Sequence, residues 1–254
     1  MKSISYKLLN TLLVFLLIAN ISIAQKKIDR TKKTTASDKS VTTVAIKEPW
    51  KMLNSNERLI EITTIYGVMV ARLYDSTPLH RNNFVKLIEQ KFFDSLLFHR
   101  VIEDFMIQGG DPTSKNAPND MQLGSGSAPG NRVPAEFKPF LFHKKGALAA
   151  ARDNNPEKAS SNCQYYIVQG KPMNEQELNS NYESRIKPSN PNFSYTKAQK
   201  EIYARIGGTP FLDQSYTVFG EVISGLEVID KIAKAPKQGE RPLPNIIMKI
   251  RLLN

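Results

Sequence analysis

The chain has 254 residues, a formal net charge of +11, three histidines and one cysteine. One cysteine excludes an intrachain disulfide, and histidines far apart in sequence, without Cys or paired-carboxylate company, do not form a metal-ligand pattern. Residues 1–47 hold nine Lys/Arg against two Asp, a net of +7 that leaves +4 for the remainder, so the basic character belongs to the N-terminal segment and a nucleic-acid partner is not expected.

Met1–Gln25 reads as a targeting segment. Lys2 and Lys7 form a basic start, Leu8–Ala19 is mostly apolar, and Ser22-Ile23-Ala24 places small residues where a signal peptidase cuts, so cleavage is expected after Ala24. The mature protein is then exported, periplasmic or secreted. It meets a membrane only if the leader stays uncleaved, and Leu8–Ala24, with Asn10 and Asn20 inside it, is at the short limit for a span. Residues 25–50, rich in Lys, Thr and Ser, read as a disordered linker. Residues 51–254 have the length of one domain.

Within that domain Arg58–Leu73 contains two alternating runs split at Tyr66-Gly67, a β-hairpin. Ser76-Thr77-Pro78 starts a helix whose buried face carries Phe84, Leu87 and Ile88. Phe98–Ile102 and Phe105–Gln108 read as strands separated by the polar pair Glu103-Asp104, and Gly109-Gly110-Asp111-Pro112 turns the chain. Period two puts Arg100 on the face of Phe98 and Ile102, and Met106 with Gln108 but not Phe105. A turn or bulge near Asp104 is needed if Phe105 is to join them. Gly124–Gly130 is a loop, not a phosphate cradle, because no strand-to-helix step surrounds it. Ala147–Ala151, Gln164–Val168 and Tyr216–Val222 are further strands, with Gln164, Tyr166 and Val168 on one face. Asn174 and Thr196 each open a capping box, and Ala198, Ile202 and Ile206 form a thin stripe stopped by Gly207-Gly208. Ser224-Gly225-Leu226-Glu227 fits another box, and Asn245–Leu253 alternates through Ile246, Met248, Ile250 and Leu252 as a closing strand. Periodicity alone gives a mainly β chain with two helices, outside the 170–208 stretch.

The stretch FHRVIEDFMIQGGD (98–111) resembles the signature of the cyclophilins, the β-barrel peptidyl-prolyl cis/trans isomerases. GALAAARDNNPEKASSNCQYYIV (146–168) and TPFLDQSYTVFGEV (209–222) resemble two further blocks of that family, in family order. The resemblance covers about residues 55–254. It implies a closed eight-stranded antiparallel barrel capped by two α-helices, and it makes 170–208 an inserted helical hairpin, because many relatives join these blocks by a short link. It also implies a monomeric peptidylprolyl isomerase acting on proline-containing polypeptides, without metal or cofactor. By the same resemblance Arg100 is catalytic. Phe105, Met106, Tyr166 and Leu212 line a proline pocket, Gln108 grips the substrate backbone and steadies the arginine, and Ala151, Arg152 and Gln164 lie along the substrate strand.

Four positions depart from the common pattern. Tyr166 stands where many members have phenylalanine and brings a hydroxyl that needs a partner. Phe211 replaces a tryptophan, Tyr216 a histidine and Arg152 an asparagine. Loss of the indole donor at Phe211 weakens the expectation of cyclosporin binding. His99 is expected to be structural, since rotation about an amide moves no proton. The rival reading is a cyclophilin-like module that holds proline-containing chains with little turnover.

Overall fold

The computed structural model describes residues 57–253. The expected leader and linker lie outside them.

The described residues form an eight-stranded antiparallel sheet, a half-barrel. Its strands are β1 (Arg58–Thr64), β2 (Gly67–Leu73), β3 (Phe98–Ile102), β4 (Met106–Gly109), β5 (Ala147–Ala150), β6 (Tyr165–Val168), β7 (Val218–Ser224) and β10 (Lys249–Leu252). The spatial order is β10-β1-β2-β7-β5-β6-β4-β3, and β8 (Lys237–Gln238) with β9 (Arg241–Pro242) makes a separate two-stranded ribbon. The expected closed barrel is corrected here. Strands β3 and β10 stand at the two ends of the sheet and do not pair with each other. The gap is crossed by chain just outside them: Phe98 N–H donates to the Ile246 carbonyl at 2.9 Å, and Met248 N–H to that of Leu96 at 2.9 Å.

Side-chain alternation sorts the sheet into two apolar layers. One face carries Ile60, Ile62, Met69, Ala71, Leu73, Ile107, Leu148, Ile167 and Ile250, all buried. Two helices close this main core: α1 (Pro78–Glu89) through Phe84, Leu87 and Ile88, and α4 (Leu226–Ala233) through Val228, Ile229 and Ile232. Pro78 takes the first turn of α1, where its missing N–H costs nothing. The other face of the sheet carries Met106, Ala147, Ala149, Tyr166, Val168 and Val218, a smaller layer that Leu212 covers.

Two more helices, α2 (Glu175–Asn181) and α3 (Lys197–Ile206), lie in the 170–208 stretch, and both form the expected capping boxes, Asn174 with Glu177 and Thr196 with Gln199. A π-helical turn, Tyr182–Ile186, follows α2. Gly207 ends α3 at φ +82°, where an added Cβ would run into the Lys171 backbone.

Several local expectations fail for identifiable reasons. The ladder shifts register between Phe98 and Arg100, so His99 is the extra residue of a bulge. Phe98 therefore packs in the main core, while Arg100 and Ile102 belong to the other face, contrary to simple period two. On α3 the buried positions are Gln199 and Tyr203, not the Ala198, Ile202, Ile206 stripe. Ser224 ends β7 and forms no capping box, because Gly225 occupies the cap position at φ +85° with no side-chain bond. Paired strands are also shorter than the runs 147–151, 164–168 and 245–253, and the hairpin turn falls on Ile65-Tyr66.

Candidate active site

The candidate residues meet because the ladders align them. Arg100 on β3 pairs with Gln108 on β4, Gln108 with Tyr166 on β6, Tyr166 with Ala149 on β5, and Ala149 with Val218 on β7. The neighbouring row runs Ile102, Met106, Val168. Residues up to 118 positions apart in sequence thus form two adjacent rows on the outer face.

The polar end of the first row is tied together by side chains. Arg100 Nη1 donates to Gln108 Oε1 at 3.2 Å, Gln108 Nε2 to Gln164 Oε1 at 3.1 Å, and Gln164 Nε2 to the Gly124 and Gly126 carbonyls at 2.9 and 2.8 Å. The glycine loop is thereby the wall of the site. Asp111 holds the same loop through the Gly124 N–H, and its own turn is fixed by Thr113 at 2.8 Å. Gly110, at φ +93°, lets the chain leave β4 against the Cys163 backbone, where a Cβ would collide. A cavity of about 570 Å³ opens between this wall and the 151–153 strand end, lined by Gln108, Ala151, Arg152, Asp153 and Gln164 among others.

The floor is apolar. Met106 and Tyr166 are buried, Leu212 nearly so, and Phe105 and Tyr216 pack against them. Phe105 reaches this layer because Asp104, at φ +60°, turns the chain between β3 and β4. Its ring meets that of Phe211 at 5.4 Å, and Phe211 is 41% exposed at the rim. The Arg152 guanidinium lies 4.5 Å over the Tyr216 ring while its Nε donates to the Ser215 carbonyl at 3.0 Å, a contact that shapes the opposite rim. The Tyr166 hydroxyl does find its partner, His143 Nε2 at 2.9 Å. Burial pushes the Tyr166 phenol well above its ordinary range, so it stays protonated.

The candidate positions thus divide between that cavity (Gln108, Ala151, Arg152, Gln164) and the apolar layer (Phe105, Met106, Tyr166, Leu212, Tyr216), with Arg100 bonded to Gln108 and Phe211 against Phe105. Sequence reasoning missed Glu240, which ion-pairs with the Arg100 guanidinium on the side away from Gln108. It also missed His143 and Asp213 beneath the floor. Nothing local marks Glu240, an acid at the tip of the β8–β9 ribbon. His143 has no metal-ligand spacing and no local motif that would mark it.

The description "Cyclophilin type peptidyl-prolyl cis-trans isomerase/CLD" belongs to the family model that matches residues 59–251 of this chain. The chain is a member of that family. This cyclophilin is 32% identical over 202 residues to a protein of Staphylococcus haemolyticus described as a peptidyl-prolyl cis-trans isomerase, covering 78% of this chain and 92% of that one. A similarly described Staphylococcus aureus protein is 32% identical with 93% of its length covered. Among solved structures, a Cryptosporidium parvum cyclophilin-type isomerase superposes with a TM-score of 0.53 at 22% identity, over 78% of this chain and 98% of that one. The same protein crystallised in the presence of the dipeptide Ala-Pro gives 0.52 at 23% identity, over 77% of this chain and 99% of that one. The enzyme class follows from the family: peptidylprolyl isomerase.

The Arg100–Glu240 pair yields a first expected result for this cyclophilin. Both side chains are partly exposed, 38% and 52%, so the pair adds little to stability, but it fixes one edge of the guanidinium. Glu240→Ala should lower kcat/KM by less than about tenfold without a matching loss of Tm. Turnover equal to wild type across salt concentrations would show that Gln108 alone orients the arginine.

Proposed function

We propose that this cyclophilin binds proline-containing stretches of exported polypeptides in the Gln108–Tyr166 groove and speeds rotation of the X-Pro bond through Arg100. The barrier to that rotation is roughly 18–20 kcal/mol because twisting breaks amide resonance. No covalent bond is made or broken. In the twisted state the proline nitrogen becomes pyramidal and regains its lone pair. A donor fixed near that nitrogen stabilises the twisted form more than either planar form, which is differential binding by preorganised charge.

The observation that carries this reading is how the arginine is held. Gln108 and Glu240 between them take three of the five guanidinium N–H groups. Two N–H groups are left over, on a fork whose orientation is set from both sides. Met106, Phe105, Tyr166 and Leu212 would receive the proline ring, and Gln108, Gln164, Ala151 and Arg152 would hold the chain on either side of it. A cis-to-trans assay with a short X-Pro peptide tests the reading. A purified domain giving no acceleration over buffer would leave only a binding module.

Export is supported by Lys2, Lys7, the apolar run 8–19 and Ser22-Ile23-Ala24, and a mature N-terminus at Gln25 in the exported fraction is the expected result. The reading also keeps residues 51–254 as one monomeric catalytic domain with 170–208 inserted. It requires neither metal nor cofactor. Cyclosporin should bind weakly, because Phe211 supplies no donor at the rim. Phe211→Trp should tighten binding by roughly 0.5–1.5 kcal/mol, the net worth of one hydrogen bond. Calorimetric titration returning one affinity for both proteins would refute that cause.

A further inference from the structure

The floor of the groove rests on a polar assembly that the isomerisation chemistry does not use. Asp213 is 1% exposed and receives four donors. His143 gives it a backbone N–H at 2.8 Å and Nδ1 at 2.7 Å, both on Oδ1. Tyr195 and Tyr203 give it hydroxyls at 2.7 and 2.6 Å, both on Oδ2. From His143 the chain of bonds continues through Nε2 to the Tyr166 hydroxyl at 2.9 Å, with the two rings nearly parallel, 13° apart. His143 and Tyr203 are fully buried, so a donor lost at either leaves a buried polar atom to be satisfied.

This assembly joins two parts of the molecule. Tyr203 lies on α3 and packs with Phe142 and Leu178 in a small core of its own. Tyr166 belongs to the floor. Asp213 directly follows Leu212, and Tyr216, three residues further, meets the Tyr166 ring at 6.2 Å. Backbone bonds reinforce the join where α3 ends: Lys145 N–H donates to the Gly207 carbonyl at 3.0 Å and Thr209 N–H to that of His143 at 2.8 Å. An apolar cluster would hold these elements together as firmly, but it would leave the ring positions less narrowly defined.

We infer that His143 and Asp213 are positioning residues for the proline pocket, and that α3 sets the Tyr166 ring through the chain Tyr203–Asp213–His143–Tyr166. The helical stretch is then part of the pocket's foundation rather than a surface decoration. Its removal would take two donors, the Tyr195 and Tyr203 hydroxyls, from the Asp213 carboxylate. This deepens the groove reading above and rests on it.

The test uses single hydroxyl deletions in the full mature chain, which change little volume: Tyr203→Phe, Tyr195→Phe and Tyr166→Phe, with the double variant of Tyr203 and Tyr166. Turnover of a short X-Pro tetrapeptide and its dissociation constant, from a binding titration, are measured well below each variant's Tm. The positioning role predicts a rise of about threefold to tenfold in KM and Kd for Tyr203→Phe, with kcat changed less, although Tyr203 itself lies in the separate small core beneath α3. It also predicts non-additivity. Once Tyr166→Phe has cut the chain, adding Tyr203→Phe should change KM no further. A lowered Tm with KM and Kd unchanged would reduce the assembly to plain stability and overturn the inference, as would strictly additive effects in the double variant. If Tyr203→Phe does not fold, Tyr195→Phe, which removes a hydroxyl from the same carboxylate oxygen at a half-buried position, is read by the same criteria. Absence of turnover in the wild-type protein would instead sink the isomerase reading, and the titration would still decide the positioning claim.

Discussion

Arg100→Ala should cut kcat/KM by one to three decades, about 1.4–4 kcal/mol of transition-state stabilisation. Thermal stability should change little, because the side chain is 38% exposed and its main ionic partner, Glu240, is more exposed still. KM should move less than kcat, since the donor matters to the twisted amide more than to either planar form. Arg100→Lys should recover only part of the loss. A lysine ammonium keeps the charge, but it cannot span Gln108 and Glu240 and still present two N–H groups in a fixed plane. An alanine variant with wild-type turnover on a short X-Pro peptide would remove Arg100 from the mechanism and leave only the shape of the groove to explain the activity.

How far the sequence shows this site depends on how local each feature is. The run from Phe98 to Asp111 is contiguous, so its arginine, glutamine and glycine turn could be read together. The alternation Ile246, Met248, Ile250 is equally local, and all three side chains are buried. The capping boxes at Asn174 and Thr196 need only four residues each, and both form. What failed was whatever the chain settles at a distance or by one residue of slippage. The bulge at His99 moves Arg100 off the face of Phe98, and no composition signal marks a bulge at a histidine. Glu240 reaches Arg100 across 140 residues. On α3 the stripe of aliphatic residues looked like the buried face, yet the helix turns Gln199 and Tyr203 inward, because a buried tyrosine there finds the Asp213 carboxylate and Gln199 Nε2 finds the Pro139 carbonyl at 2.9 Å. Amphipathic patterns weigh apolar area and miss polar side chains that are buried with partners. The closed barrel failed in a similar way: the seam is made by chain flanking β3 and β10, not by the strands themselves.

Acid should destabilise this protein between about pH 6.5 and pH 4, and His99 should be a main cause. The ring sits in the bulge of β3 and is 4% exposed. Burial lowers its pKa from 6.5 to about 4; the charge of Asp111 opposes this, and Arg100 and Arg241 add a smaller downward push. The sign follows from which state takes the proton. Above about pH 6.5 the ring is neutral both folded and unfolded, so the fold loses nothing. As the pH falls, the unfolded chain binds a proton near 6.5 that the folded chain does not accept until about 4, so stability drops through that window and then levels off. The gap between the two values corresponds to about 3 kcal/mol. His80 shifts in the same direction, lowered by burial against the pull of Glu136, and it should add to the slope. Asp111 acts below this window: burial alone would raise its pKa, but hydrogen bonds from Thr113 and Gly124 outweigh that and hold it under 3.8. Urea midpoints measured from pH 7.5 to 4.5 check the assignment. His99→Phe should remove about 2.5 kcal/mol of the wild-type loss over that range, most of the full gap. Any misfit of the larger ring would lower the whole curve without changing its slope. Parallel curves for the two proteins would mean that His99 is protonated as readily inside the fold as outside it, and the acid sensitivity would then belong to His80 or to the carboxylates.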